Sequence, residues 1–249
     1  MIPPVEIKIN LGVDVDGALD RLGCAGGPAV RRSIWFAESR ADGQDGALAL
    51  LGNGIVIRLR SGDLDDLTVR LRPCRRSQLM GRWARPFTDT ETEYRIADDW
   101  CGQRRALTAS VLGVRPPGSL AEVARSGVAV TSLLNSAQRQ FLVTCTRPGV
   151  AFDHLEPVGP IAATRWTGVR FGDLELDVER WTAAGTDLLE LAIRVEPIEG
   201  ETPLELMTRA AQTQQGFEAA VRRAGFPVLR GRTKTQRMLS ALVRRPIER

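Results

Sequence analysis

Charged residues alternate with apolar or small ones along several short runs of the chain, and their types suit the handling of phosphates and hard cations. Glu6 and Lys8 flank Ile7, Arg58 and Arg60 flank Leu59, and Arg70 and Arg72 flank Leu71. Glu91, Glu93 and Arg95 repeat the pattern, as do Glu190 and Arg194 further on. A guanidinium fork can hold two phosphate oxygens at once, and an ammonium supplies a compact point charge. Interleaved carboxylates are costly beside a polyanion unless a divalent cation bridges them, and oxygen-only donors suit Mg²⁺ or Mn²⁺. Together these groups predict a metal-assisted site for a triphosphate or another phosphorylated small molecule.

Period-two alternation is the mark of a strand with two unlike faces. The runs are Val5 to Leu11, Ile57 to Arg60, Leu67 to Arg72, Glu91 to Ile96, Leu174 to Glu179 and Leu189 to Val195. Ser61-Gly62-Asp63 and Ala184-Gly185-Thr186 read as hairpin turns between pairs of them. Helices are predicted from Val15 to Leu22, from a capping box at Ser119-Leu120-Ala121-Glu122, from a cap at Ser136 to about Cys145, and from Pro203 to Ala224. In an ordinary antiparallel sheet the polar face meets water. Here that face is rich in Arg and Glu, and there are helices enough to cover an apolar outer face. A sheet closed into a barrel, apolar side outward and charged side inward, satisfies both facts. The fold class is α+β, one domain over 1–249, with a basic tail at 240–249.

The rest of the composition removes alternatives. The chain has 249 residues, 43% of them hydrophobic, which is ordinary globular composition. No apolar run is long enough to span a bilayer and the N-terminus lacks the features of a signal peptide, so a soluble, cytoplasmic protein without membrane contact is expected. Four widely spaced cysteines with no CxxC argue against a zinc or redox pair. The single histidine, His154, sits in a loop-like stretch and reads as structural or solvated. A pI near 9.2 invites nucleic acid, but acids alternate with the bases and no helix carries a basic stripe, so nucleic acid is an unlikely partner. Nothing excludes a homodimer. Of the 34 bases only Lys8 and Lys234 are lysines. The arginine excess has an ordinary explanation in genome composition, and against it the two lysines stand out.

In order and spacing the motifs resemble the CYTH superfamily, the triphosphate tunnel metalloenzymes, which includes class IV adenylate cyclases, thiamine triphosphatases and inorganic triphosphatases. Pro4-Val5-Glu6-Ile7-Lys8 stands where the family has ExExK, Gly54 to Arg60 matches GxxLRxR, and Thr68-Val69-Arg70 matches TxK. Trp35 to Glu38, Glu91-Thr92-Glu93, Leu189 to Ala192 and Thr233-Lys234-Thr235 match further motifs. The resemblance implies an eight-stranded antiparallel tunnel flanked by helices. It implies that Lys8, Arg58, Arg60, Arg70, Arg72, Arg194 and Lys234 bind phosphates, with Arg95 a further lumen base. Glu6, Glu91, Glu93 and Glu190 would hold Mg²⁺ or Mn²⁺, with Glu6 and Lys8 catalytic. The implied activity is hydrolysis of phosphoanhydride bonds in inorganic or organic triphosphate; an adenylate cyclase and a weakly catalytic phosphate-binding module are the rivals. Pro4 and Ala192 replace acids of the family pattern, and Asp177 or Glu179 is placed to compensate.

Overall fold

The computed structural model describes residues 2–39 and 48–243. In chain order its elements are β1 (Val5–Leu11), α1 (Val15–Arg21), β2 (Val30–Ser39), α2 (Ala49–Gly52), β3 (Ile55–Ser61), β4 (Asp65–Leu71), β5 (Phe87–Thr88), β6 (Thr92–Cys101), β7 (Arg104–Arg115), α3 (Ser119–Ser126), α4 (Ser136–Cys145), β8 (Leu155–Phe171), β9 (Leu174–Ala183), β10 (Thr186–Val195), α5 (Pro203–Arg223), β11 (Val228–Leu229) and α6 (Lys234–Val243). None of the described helices is long and apolar enough to cross a membrane.

The sheet runs β1-β10-β9-β8-β2-β3-β4-β7-β6 and closes because β6 pairs back onto β1. The barrel therefore has nine strands, not eight. It is also mixed: Val5, Glu6 and Ile7 run parallel to Asp98, Asp99 and Trp100, while the other neighbours are antiparallel. The closing edge of β1 is covered by β6 at one end and by β11, opposite Asn10 and Leu11, at the other. That leaves little of β1 as an open edge for unwanted pairing.

The alternation puts apolar side chains outside, under helices. Val5, Ile7, Ile9 and Leu11 of β1 pack beneath α1 and α5, with Leu206, Ala210, Phe217 and Val221 as the buried stripe of α5. Ile57, Leu59, Leu67, Val69, Tyr94 and Val111 form the matching outer core under α3 and α4. Each fully buried side chain of this size contributes about 1.5–3 kcal/mol. Turn chemistry sets the hairpins: Gly54 opens β3 with φ +74, and a Cβ there would come 3.2 Å from the Arg72 carbonyl oxygen.

Two cap assignments need correction. The α3 N-cap is Gly118, and the Ser119 hydroxyl donates to the Pro116 carbonyl instead of capping. The α4 N-cap is Asn135, in a reciprocal box with Gln138, not Ser136. The expected proline start of α5 is present, and Thr202 caps it in a reciprocal box with Glu205. The region after Leu239 continues α6 as far as Val243, so the beginning of the expected tail is helix; residues 244–249 lie outside the described part.

Helix α6 is what turns a barrel into a one-sided cavity. Its Met238 and Leu239 pack on Ile34, Phe36, Ile161 and Trp181, side chains of β2, β8 and β9 that point inward. The helix thus plugs the barrel, and its first residue is Lys234.

Candidate functional site

The lumen encloses a cavity of about 680 Å³. Of the residues singled out from the sequence, all but Glu91 line it. Glu91 is exposed and precedes β6, so it lies apart from the others. A smaller cavity of about 260 Å³ adjoins the first and shares Arg58, Arg70 and Arg72 with it.

Strand register decides which bases meet. On the β3–β4 wall Arg58 is opposite Thr68, Arg70 is opposite Val56, and Arg60 is opposite Asp66. Asp66 engages Arg60 at 2.9 Å. Arg58 and Arg70 have no such acid: the buried Nε of each lacks a hydrogen-bond partner, and neither forms an ion pair among the described residues. Burial, reinforced by the nearby charges of Arg60 and Arg70, lowers the Arg58 guanidinium to about 9. A buried cation held at such cost is relieved by an incoming anion.

The opposite wall has another character. Lys8 Nζ lies 2.8 Å from Glu6 and 2.8 Å from Asp99, and Arg72 reaches the other oxygen of Asp99 at 2.7 Å. Arg194 holds the second oxygen of Glu6 at 3.0 Å and also engages Glu196. From the plug helix, Lys234 Nζ reaches Glu179 at 2.5 Å and Glu190 at 3.2 Å, and it stands 4.2 Å from the ring centre of Trp181. Glu93 is taken by Arg95. The Lys8 charge holds Glu6 well below the usual carboxylate range. Burial works against charge on Lys8, but Glu6 and Asp99 outweigh it and raise its pKa. Asp99 and Glu179 follow the same logic, with burial outweighed by the cations beside them and both pKa values lowered.

The donors do not fit a preformed divalent metal site. Glu6, Glu93, Glu179 and Glu190 are each committed to an ammonium or guanidinium, and no group of three acid, Cys or His side chains among the described residues is arranged to hold a metal. Pro4 and Ala192 line the cavity without donors. His154 is exposed and the four cysteines are free thiols.

Sequence reasoning missed Asp99, which is 1% exposed and ties Lys8 to Arg72. The signal was present: counting by two from Glu93 through Arg95 and Ala97 arrives at Asp99 on the lumen face. It also missed Asp66 as the partner of Arg60. The plug could not be read from Thr233-Lys234-Thr235 alone, because the motif says nothing of the helix that carries it.

No family profile matches the sequence, and comparison with curated proteins gives no match. Solved structures do match. HpAC1 from Hippeastrum, a candidate adenylyl cyclase with a dominant triphosphatase activity, is 16% identical, with 94% of this chain and 93% of that chain covered and a TM-score of 0.53. A candidate adenylate cyclase from Bacillus halodurans is 11% identical, with 95% and 97% covered and a TM-score of 0.53. Near full coverage of both partners means that the likeness extends over most of each chain. The chain therefore shares the closed-barrel fold of these two proteins.

Proposed function

We propose that the protein is a phosphohydrolase that binds inorganic or organic triphosphate in its lumen and cleaves a phosphoanhydride bond. The observation that carries this reading is the pair Arg58 and Arg70, half-buried side chains with no ion-pair partner among the described residues and with their buried Nε atoms unbonded, facing the lumen cavity. A guanidinium without an acid in a closed space is a site for an anion, and two of them side by side suit a polyanion. Arg60, Arg72, Lys8 and Lys234 surround that pair and add to the positive field that meets the substrate. The dominant triphosphatase activity of HpAC1 supports hydrolysis over cyclisation as the first reading.

The chemistry asked of the protein is modest. Phosphoryl transfer passes through a loose transition state in which positioning and charge stabilisation supply most of the acceleration. Fixed guanidiniums can draw the substrate straight and stabilise charge on the leaving oxygens, while water attacks in line. Lys8, kept protonated, and Glu6, kept ionised, are poor proton acceptors and serve better as fixed charges than as acid or base. That revises the catalytic role expected for the pair.

The deciding experiment offers purified protein tripolyphosphate, ATP and thiamine triphosphate, with Mg²⁺, with Mn²⁺ and with chelator, and follows phosphate, pyrophosphate and cyclic AMP. Release of phosphate is the expected result. Pyrophosphate with cyclic AMP would replace hydrolysis by cyclisation, and tight binding without turnover would leave a binding module.

A further inference from the structure

The two lysines differ from Arg58, Arg60, Arg70 and Arg72 of the lumen in what surrounds them. Each ammonium sits between two carboxylates from different strands: Lys8 between Glu6 of β1 and Asp99 of β6, and Lys234 between Glu179 of β9 and Glu190 of β10. A hard cation bridging acids from neighbouring strands is the arrangement a divalent metal would make with the same oxygens. An ammonium is compact and close to a point charge, as a metal ion is, whereas a guanidinium such as that of Arg194, which also bridges two acids, is flat and reaches sideways. In a chain that otherwise uses arginine throughout, lysine stands at both of these seats. Both are enclosed, the side chains of Lys8 and Lys234 being 11% and 3% exposed.

The acids that could complete an oxygen shell around a metal are missing at the same places. Ala192 is directly opposite Lys8 in the β1–β10 register, and Pro4 lines the cavity two residues before Glu6. Four carboxylates are thereby each held by one of the two ammoniums, with Arg72 on the second oxygen of Asp99 and Arg194 on that of Glu6, and Arg58 and Arg70 are left without an ion pair among the described residues.

Building on the triphosphate reading above, we infer that Lys8 and Lys234 are built-in cations standing in for a divalent metal, so that the lumen takes its triphosphate as the free anion. Magnesium then acts on the wrong partner. It masks charge on the triphosphate in solution, and the masked anion has less to offer two unpaired guanidiniums.

Two titrations of the full chain test this. In the first, Mn²⁺ alone is added and its uptake is followed by paramagnetic resonance: the wild-type chain takes up none, whereas Lys234→Ala, which uncovers Glu179 and Glu190, acquires a site. In the second, calorimetry measures tripolyphosphate binding in chelator and in excess Mg²⁺, and the metal weakens binding by about tenfold. Uptake of Mn²⁺ by the wild-type chain without phosphate overturns the inference, as does tripolyphosphate binding that vanishes in chelator. A folded Lys234→Ala chain, verified by its thermal melt, that takes up no Mn²⁺ overturns it too; should that variant not fold, the two wild-type titrations decide. If tripolyphosphate binds in neither buffer the triphosphate reading falls, while the Mn²⁺ titration still decides whether the ammonium seats exclude a metal.

Discussion

The lumen has two walls built on opposite electrostatic plans. At the centre of the β3–β4 wall, Arg58 and Arg70 are half-buried and form no ion pair among the described residues, with Glu179 and Glu6 acting on them only at longer range. Across the cavity, on β1, β9 and β10, each cation is shared between acids: Lys8 by Glu6 and Asp99, Lys234 by Glu179 and Glu190, Arg194 by Glu6 and Glu196. The paired wall is an internal framework whose charges cancel locally. The unpaired wall keeps uncompensated charge in a place where desolvation makes it costly, and it does so at the expense of stability. The difference teaches where a ligand's energy comes from: an anion on the paired wall must first displace a carboxylate, while one at Arg58 and Arg70 displaces only water.

The comparison breaks most severely if the framework loses an acid. Asp99 is the single partner that Lys8 and Arg72 share across strands β1, β4 and β6. Removing one member of a buried ionic cluster leaves the others uncompensated, typically at about 3–5 kcal/mol. Asp99→Ala should lose that much in urea unfolding, whereas the tripolyphosphate affinity of the fraction that folds should hold or rise, because Arg72 becomes free while Lys8 keeps only Glu6. A variant as stable as the wild type would mean that the paired wall is not a framework.

A second variant sharpens the contrast with a buried acid of the opposite kind. Glu38, 3% exposed, has no cation partner among the described residues; its two oxygens instead accept from the amides of Leu50 and Leu51 at the start of α2. Burial raises it from 4.5 to about 7, the amide bonds opposing only in part. In this case the folded state holds the proton more tightly than the unfolded one, so stability is greatest below the unfolded pKa and falls as pH rises through the window from 4.5 to about 7. The shift corresponds to a loss of up to about 3 kcal/mol across that window. Glu38→Gln should remove this slope from unfolding midpoints measured between these pH values, and an unchanged slope would assign it to another group.

How much of the molecule is legible in its sequence follows from the physics of the pattern. Strands with one apolar and one charged face announce themselves by period two, and β1, β3, β4, β6, β9 and β10 are legible in that way. Strands β2, β7 and β8 are not. Phe36 and Ile34 of β2 are apolar on the lumen side because they receive the plug, β7 carries small residues such as Ala106 and Ala109 where it packs, and β8 contains Pro157, Gly159 and Pro160. With those three strands unread, the count of nine is out of reach, and so is the parallel closure, which no local pattern encodes. Among the site residues, the inward bases follow from alternation. Which of them are paired does not, because partners such as Lys8 and Asp99 lie 91 residues apart and meet only when the barrel closes.

The mildest change to the fold should expose the two plans most directly. Arg58→Met removes a half-buried cation that forms no ion pair among the described residues, and it keeps much of the side chain's volume. On the paired wall such a loss strands a partner; here Glu179, which feels Arg58 at longer range, keeps its contact with Lys234, so thermal stability without ligand should be unchanged or slightly higher. Tripolyphosphate binding should nevertheless weaken by more than about tenfold, or roughly 1.4 kcal/mol, since half of the unpaired pair is gone. Stability and affinity thus move in opposite directions, a signature that a merely structural arginine would not give. The same residue sets a pH limit. Arg58 is lowered to about 9, chiefly by burial and then by Arg60 and Arg70, so in the free protein it sheds its proton above that value, and affinity should fall as pH rises through it. Bound anion favours the charged form and shifts the fall to higher pH. Calorimetry below and above pH 9 on wild type and Arg58→Met tests both statements together: the alkaline loss belongs to Arg58 if the variant lacks it, and an equal loss in the two chains would move the unpaired charge elsewhere on the wall.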